Sequence, residues 1–579
     1  MPLLLLLALT QARVDEMTAS LRQQTKTIPG PGVPIPEADR AELRKAVDDL
    51  GGANDPDNLI VRKAIDWALR YDEFLDAKDV AAAKRLLTEK PKPGLATHAY
   101  RSKIDGSLQP YGMVLPANYE PGRKYRLDFW LHGRDEKLTE LRFLDQRRRS
   151  PGEFTPPDTL VLHLYGRFCN ASKFAGEVDL FEALDDAKKR YSIDEERICV
   201  RGFSMGGASA WHIGAHHAGL WAAVAPGAGF AETPVYARMF DDPVKPTDYE
   251  QKLWHWYNAT DYAINLRNTT VIAYSGELDK QKAAADTMVA AAKAEGFEFP
   301  HVIGPKTEHK YEPEAKKEVA RLVDAAAAKG RTPSELVRFT TWTLRYPTMK
   351  WLTVHGLEKH WERARLEVAL DGGRAVVLKA ENVTSFRIAA NIKQIDIDGR
   401  PLSSDGWCSK LNGRWEAKPL DGLRKRPGLQ GPIDDAFMDG FVVAAQGQGF
   451  KEAAEAWRRT MRGDFPAGAD DGKRNVVYFG DYTHPKVAEI AKRAGFTWDA
   501  SGVSVHGKTY PGHTLALIYP DGNRYIVLNS GFTWAENAAA SNSRHVPLLP
   551  DWAIIDPKAT GKMSQRVAAA GFFDEEWKL

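Results

Sequence analysis

At roughly 150 residues per domain, a chain of 579 residues makes three to four domains and excludes a single small module. The 79 Lys+Arg against 77 Asp+Glu leave a formal net charge of +2, which excludes the one-sided positive field of a dedicated nucleic-acid binder. Hydrophobic residues at 43% and charged residues at 27% exclude both a disordered chain and a membrane bundle.

The chain opens on Leu3 to Leu7 followed by Ala8-Leu9-Thr10-Gln11-Ala12, a short apolar run ending in small residues. Residues 1–12 therefore read as a signal peptide and the protein as secreted or periplasmic, with a buried N-terminal helix as the other reading. No other segment reaches the roughly 18 continuous apolar residues of a membrane span. Cys169, Cys199 and Cys408 are too few and too scattered for a disulfide framework or a thiolate zinc site, and leave room for one disulfide at most.

Helical spacing of Ala41, Leu43, Val47, Leu50, Ile60, Ala64, Trp67, Leu69, Ala81 and Leu86 predicts a helical N-terminal region over 13–94, closed by Pro91-Lys92-Pro93-Gly94. Residues 95–330 then alternate strands with helices. The strands are expected at residues 95–100, 111–115, 127–131, 160–164, 198–201, 222–225 and 270–274, and the helices at 179–191, 207–217, 282–295 and 313–329. Such alternation predicts an α/β fold, a mostly parallel sheet between helices, with chemistry at the strand C-termini. Short strands with Asp371-Gly372-Gly373 and Asp398-Gly399 turns predict a β-rich module over 331–420, with a sandwich as its candidate form. A linker and helix over 421–472 and a small C-terminal α/β module over 473–579 follow.

The chemistry concentrates in the second of these regions. Gly202-Phe203-Ser204-Met205-Gly206 is a G-x-S-x-G pattern between a predicted strand and a predicted helix. Chance gives about 0.2 such matches in a chain of this composition, so the strand-turn-helix context carries the weight: glycines allow the sharp turn that lifts a nucleophilic serine above the sheet. A serine hydroxyl needs a histidine to take its proton and a carboxylate to orient that histidine. In this arrangement the chain order is Ser, then Asp or Glu, then His. Asp279 follows the 270–274 strand and is the expected acid, with Glu277 its rival and helix capping its bland alternative. His309 follows the strand-like run 300–304 and is the expected base. His301 stands ahead of the body of that strand, toward the wrong end of the sheet, and His212, His216 and His217 read as helix residues.

The developing oxyanion needs donors. Met205 N–H is one, and the His132-Gly133-Arg134 turn after an early strand offers the N–H of Gly133 or Arg134. Weaker candidates for substrate contact are Arg167 and Asn170, against a structural salt bridge, and Trp254 and Trp256, against core packing. No metal or organic cofactor is required. Gly480-Asp481 lacks a G-x-G-x-x-G fingerprint and assigns no nucleotide.

Tyr165-Gly166-Arg167-Phe168, Tyr191-Ser192-Ile193-Asp194-Glu195-Glu196-Arg197-Ile198, Gly202-Phe203-Ser204-Met205-Gly206-Gly207 and Ser275-Gly276-Glu277-Leu278-Asp279 together resemble an α/β-hydrolase of the prolyl oligopeptidase family. They are also similar to secreted feruloyl-esterase and polyester-depolymerase relatives. The resemblance spans roughly residues 95–328 and implies Ser204, Asp279 and His309 as a catalytic triad. It departs from the oligopeptidases in what precedes the domain: they carry a β-propeller that filters peptides, whereas residues 13–94 read helical. An exported serine hydrolase that cleaves a small-molecule or polymer-derived ester is therefore expected ahead of a prolyl peptidase. A catalytically silent polymer-binding protein is the reading from another class.

Overall fold

The computed structural model describes residues 28–579 apart from 53, 332, 532, 534–535 and 537–541. The expected signal peptide lies outside the described residues. Three amphipathic helices come first: α1 (Glu37–Asp49), α2 (Pro56–Arg70), which opens on a proline that suits a first helical position, and α3 (Lys78–Thr88). Leu43, Val47, Ile60, Ile65, Ala83 and Leu86 form one apolar core with Leu141 and Leu144 of a later helix, which seats this bundle on the main domain.

The main domain is a nine-stranded sheet. Its strands are β1 (Leu95–Arg101), β2 (Leu108–Val114), β3 (Tyr125–Leu131), β4 (Thr159–Leu164), β5 (Ile193–Phe203), β6 (Ala223–Gly227), β7 (Thr270–Val271), β8 (Ala273–Gly276) and β9 (His301–Gly304). The strand order is β1-β2-β4-β3-β5-β6-β8-β9, with β7 beside β6. The β1-β2 and β2-β4 pairs are antiparallel, and every pair from β4 to β9 is parallel. Parallel strands need crossovers, here α4 (Glu140–Arg149), α5 (Ala175–Arg190), α6 (Met205–His216), α7 (Asp248–Trp254) and α8 (Lys282–Ala294), and α9 (Pro313–Lys329) follows the last strand. Because helices cover both faces, the central strands are buried along their length: β4 reads Thr-Leu-Val-Leu-His-Leu with every residue buried. This is the α/β-hydrolase fold.

Residues 336–416 form two five-stranded sheets that share one core, built from Val337, Phe339, Leu366 and Val368 on one and Leu352, Val354, Phe386 and Ile388 on the other. A six-stranded sheet at the C-terminus takes its first strand, Phe441–Gln446, and the helix Phe450–Met461 from the span read as linker and helix. The strand pairs in parallel with Asn475–Phe479, so its apolar residues are consumed in that sheet.

The end of the 450–461 helix reaches back to the front of the chain. Arg462 is fully buried between Glu73, 2.7 Å away, and Glu140, 2.5 Å away, and Lys63 stands 3.3 Å from Glu140. Burial pushes the Glu140 carboxyl up, but Arg462 and Lys63 outweigh it and hold it down at about 2. Its folded value is depressed, so its stabilisation is complete above the unfolded carboxylate range near 4.3 and is lost as pH falls toward 2. We expect on the order of 3 kcal/mol of acid-labile stability from this group. Urea unfolding between pH 5 and pH 2 checks it: Glu140→Gln should flatten the pH slope, and an unchanged slope would contradict the linkage.

Candidate active site

The site is built at the C-terminal ends of β3, β5, β6, β8 and β9. Strand β5 ends at Phe203 and α6 begins at Met205, so Ser204 alone makes the turn. It does so at φ 59° and ψ −120°, a conformation that costs a non-glycine residue of order 1–3 kcal/mol. The backbone packing makes the turn unavoidable. A Cβ on Gly206 would stand 1.9 Å from the Leu131 carbonyl oxygen, one on Gly202 would stand 2.2 Å from the Gly206 oxygen, and one on Gly207 would stand 2.1 Å from the Gly227 oxygen. The Ser204 N–H donates to the Gly227 carbonyl at 2.8 Å, which pins the turn to β6.

The Ser204 hydroxyl donates to His309 Nε2 at 2.8 Å, and His309 Nδ1 donates to Asp279 Oδ2 at 2.8 Å. The tautomer follows from that network: a carboxylate accepts only, so Nδ1 carries the proton and Nε2 offers its lone pair. The Asp279 side chain is 3% exposed and that of His309 39%, which leaves the imidazole open on the solvent side. The second carboxylate oxygen of Asp279 accepts from the Gln281 N–H at 2.8 Å. Glu277 is exposed and takes the Lys306 N–H instead. The loops that carry the acid and the base are stitched together by Leu278 N–H to Thr307 O at 2.9 Å, and only a glycine fits at 276, where a Cβ would stand 2.2 Å from the Glu308 oxygen.

Met205 is the first residue of α6, so its N–H belongs to the first-turn donors that have no intrahelical partner, at the positive end of the helix. Across from it runs the His132-Gly133-Arg134 turn. A Cβ on Gly133 would stand 3.7 Å from Ser204 Cβ, so this backbone faces the serine. The His132 ring nitrogens stand 2.9 Å from the Gly133 and Tyr165 carbonyls, and the one N–H of a neutral ring serves either of them. With the Gly133 carbonyl facing that ring, the trans peptide points the Arg134 N–H the opposite way. The Arg134 guanidinium reaches Asn542 of the C-terminal module at 2.8 Å and Glu136 at 3.2 Å.

Arg167, Asn170, Trp254 and Trp256 are not brought to the serine. Arg167 is fully buried and bound to Asp105 at 2.7 Å and Asp179 at 3.0 Å, the salt-bridge alternative. Asn170 is 4% exposed, folded against Gly176 at the start of α5. Trp254 packs on Phe240, and Trp256 is fully buried beside Tyr257 and Trp361. Both tryptophans are core, because the segment after β6 folds inward onto the β-rich module. His212 and His216 are also buried, the latter stacked on Tyr346 at 3.6 Å. All three cysteines are free and buried.

Sequence reasoning missed the contacts that the C-terminal module makes with the main domain. Thr233 donates to the Ser543 carbonyl, Arg544 pairs with Asp242 at 2.5 Å, and buried Lys173 donates to the His545 carbonyl at 2.7 Å. Asn542 Nδ2 also donates to the Cys169 carbonyl. These partners stand about 300 to 370 positions apart in the chain, and no local pattern announces them. Among the described residues, no cluster of three or more His, Cys, Asp or Glu could hold a metal ion, and no helix is long and apolar enough to cross a membrane.

A hydrogen-bonded Ser204-His309-Asp279 chain at the strand ends of an α/β-hydrolase sheet is the arrangement that serine hydrolases use. Residues 173–327, which hold Ser204, Asp279 and His309, match the model of the prolyl oligopeptidase family and form a domain of that family. A search of curated proteins gives no match. Among solved structures, a putative dipeptidyl aminopeptidase IV from Bacteroides ovatus aligns at 15% identity and TM-score 0.32, over 42% of this chain and 37% of that one. The fluorophosphonate-binding serine hydrolase F of Staphylococcus aureus aligns at 14% and 0.29, over 40% of this chain and 98% of that one. A ferulic acid esterase aligns at 18% and 0.31, over 42% and 99%.

Proposed function

We propose that this protein is an exported hydrolase that cleaves a carboxylic ester through a Ser204-His309-Asp279 triad and an acyl-enzyme. The continuous hydrogen-bond chain from Ser204 through His309 to Asp279 carries the reading. Ser204 Oγ attacks the carbonyl as His309 Nε2 takes its proton, and Asp279 stabilises the imidazolium. The Met205 N–H and the backbone of the Gly133-Arg134 turn hold the oxyanion. His309 returns the proton to the leaving group, and water then repeats the sequence on the acyl-enzyme. The chain Leu3 to Ala12 supports export.

An ester is favoured because among the described residues it is the three helices α1 to α3, and no radial blades, that precede the sheet. Peptide cleavage is the second reading, favoured by the family match over 173–327. Initial rates on a matched aryl ester and prolyl-peptide anilide, each with wild type and Ser204→Ala, test the two. Ser204-dependent turnover of the ester alone is expected. Comparable kcat/KM on the anilide would replace the esterase reading with the peptidase one, and turnover of neither would favour a polymer-binding role.

A further inference from the structure

A cavity of about 510 Å³ lies beside the Ser204 turn, walled by His132, Gly133 and Arg134 on one side and Arg147, Gly152 and His163 on another. Gly133 is the shared wall, since it faces both this cavity and Ser204. Arg147, in the last turn of α4, is 7% exposed. Its stem is wedged against Gly112, where a Cβ would stand 2.7 Å from Arg147 Cγ, and its guanidinium is set against Gly152. One guanidinium N–H donates to His163 Nδ1 at 2.9 Å. His163 Nε2 donates in turn to the Pro151 carbonyl at 2.9 Å, which leaves Nδ1 as the acceptor and the ring neutral.

Arg147 is thus a buried cation held by a neutral partner. Burial alone pushes its guanidinium down, to about 10, and it stays protonated at neutral pH. Two carboxylates also line the cavity, Glu153 paired with Lys316 at 2.6 Å and Asp135 accepting from the Lys137 N–H at 2.9 Å. The C-terminal end of α4 offsets about half a charge at most. A buried charge with donors to spare is costly unless something pairs with it.

We propose that this cavity is an anion subsite of the active site, in which Arg147 takes a carboxylate borne by the substrate. The inference rests on the hydrolytic reading of Ser204 and narrows its substrates to carboxylate-bearing esters. The planar guanidinium fork suits a carboxylate, and a charge-assisted hydrogen bond amounts to about tenfold or more in kcat/KM.

Two substrate pairs test it on the full chain. Mono-p-nitrophenyl glutarate against p-nitrophenyl pentanoate places the carboxylate on the acyl half. Acetoxybenzoate against its methyl ester places it on the leaving half. Wild type should prefer the charged member of one pair by about tenfold or more. Arg147→Met should bring that ratio to about one through KM, and Arg147→Lys should restore part of it. Glutarate titrated calorimetrically into Ser204→Ala should bind, and binding should weaken by about tenfold when Arg147→Met is added. That last measurement does not need turnover. Arg147-dependent glutarate binding without Ser204-dependent hydrolysis would keep the subsite and sink the hydrolytic reading. Ser204-dependent hydrolysis with no charge preference in either pair would overturn the subsite, as would a preference that survives in Arg147→Met. If Arg147→Met does not fold, Arg147→Lys carries the comparison, and a charge preference unchanged in it would overturn the subsite.

Discussion

Ser204→Ala should lower turnover of an activated ester by about a thousandfold or more while its unfolding temperature stays within a few degrees of wild type. The first half follows from the hydrogen-bond chain: without Oγ, His309 has nothing to deprotonate except water, and only the oxyanion donors and substrate positioning remain. The second half follows from where Ser204 stands. It is half-buried, its side chain makes one hydrogen bond to a part-exposed imidazole, and alanine meets the same strain at φ 59° that serine does. Steady-state kinetics alongside a thermal melt checks both. A folded variant that keeps its activity would assign the chemistry to another residue.

Asp279→Asn should cost on the order of 10⁴ in kcat with little effect on KM. The Asp279 carboxylate accepts from His309 Nδ1, which forces the lone pair onto Nε2, where Ser204 needs it. An amide presents N–H donors to the same ring nitrogen, so the favoured tautomer reverses and Nε2 arrives already protonated. Glu277→Gln is the control, because Glu277 is exposed and only caps the Lys306 N–H. We expect it to stay within a few-fold of wild type, as surface substitutions do. If Glu277→Gln were the damaging change, the acid would be misassigned.

The parts of this site that could be read from the sequence are those whose information is local. The serine turn combines a strand, small residues and a helix within seven positions, and the close approaches at Gly202, Gly206 and Gly207 are the physical reason those positions are glycine. The acid and the base each follow a short apolar strand, so strand position and chain order pointed to His309 and to Asp279 with Glu277 as its rival. The helix expected over 313–329 is observed as Pro313–Lys329, because a proline opens it and a glycine at φ 75° closes it.

What depends on distant charge or on the sense of burial could not be read. Arg167 carries the same guanidinium whether it binds substrate or Asp105 and Asp179, and the spacing to those carboxylates, 62 and 12 positions, has no periodic meaning. Trp254 and Trp256 sit in an insertion without regular period, and a tryptophan serves a pocket and a core equally well. Strand Phe441–Gln446 follows a segment rich in glycine, proline and charge that masked its pairing with Asn475–Phe479. Arg147 gave no signal either. It lies within a run of three arginines at a helix end, where a dipole role is the ordinary reading, and only the packing of Gly112 and Gly152 reveals that its guanidinium faces inward.

The central claim is that Ser204 is the nucleophile, activated by His309 and Asp279. A fluorophosphonate probe incubated with the full chain, followed by proteolysis and mass mapping, tests it without any knowledge of the substrate. The account predicts one stoichiometric adduct on the peptide containing Ser204, absent in Ser204→Ala and formed far more slowly in Asp279→Asn. A folded protein that forms no adduct, or forms it on another serine, would contradict it.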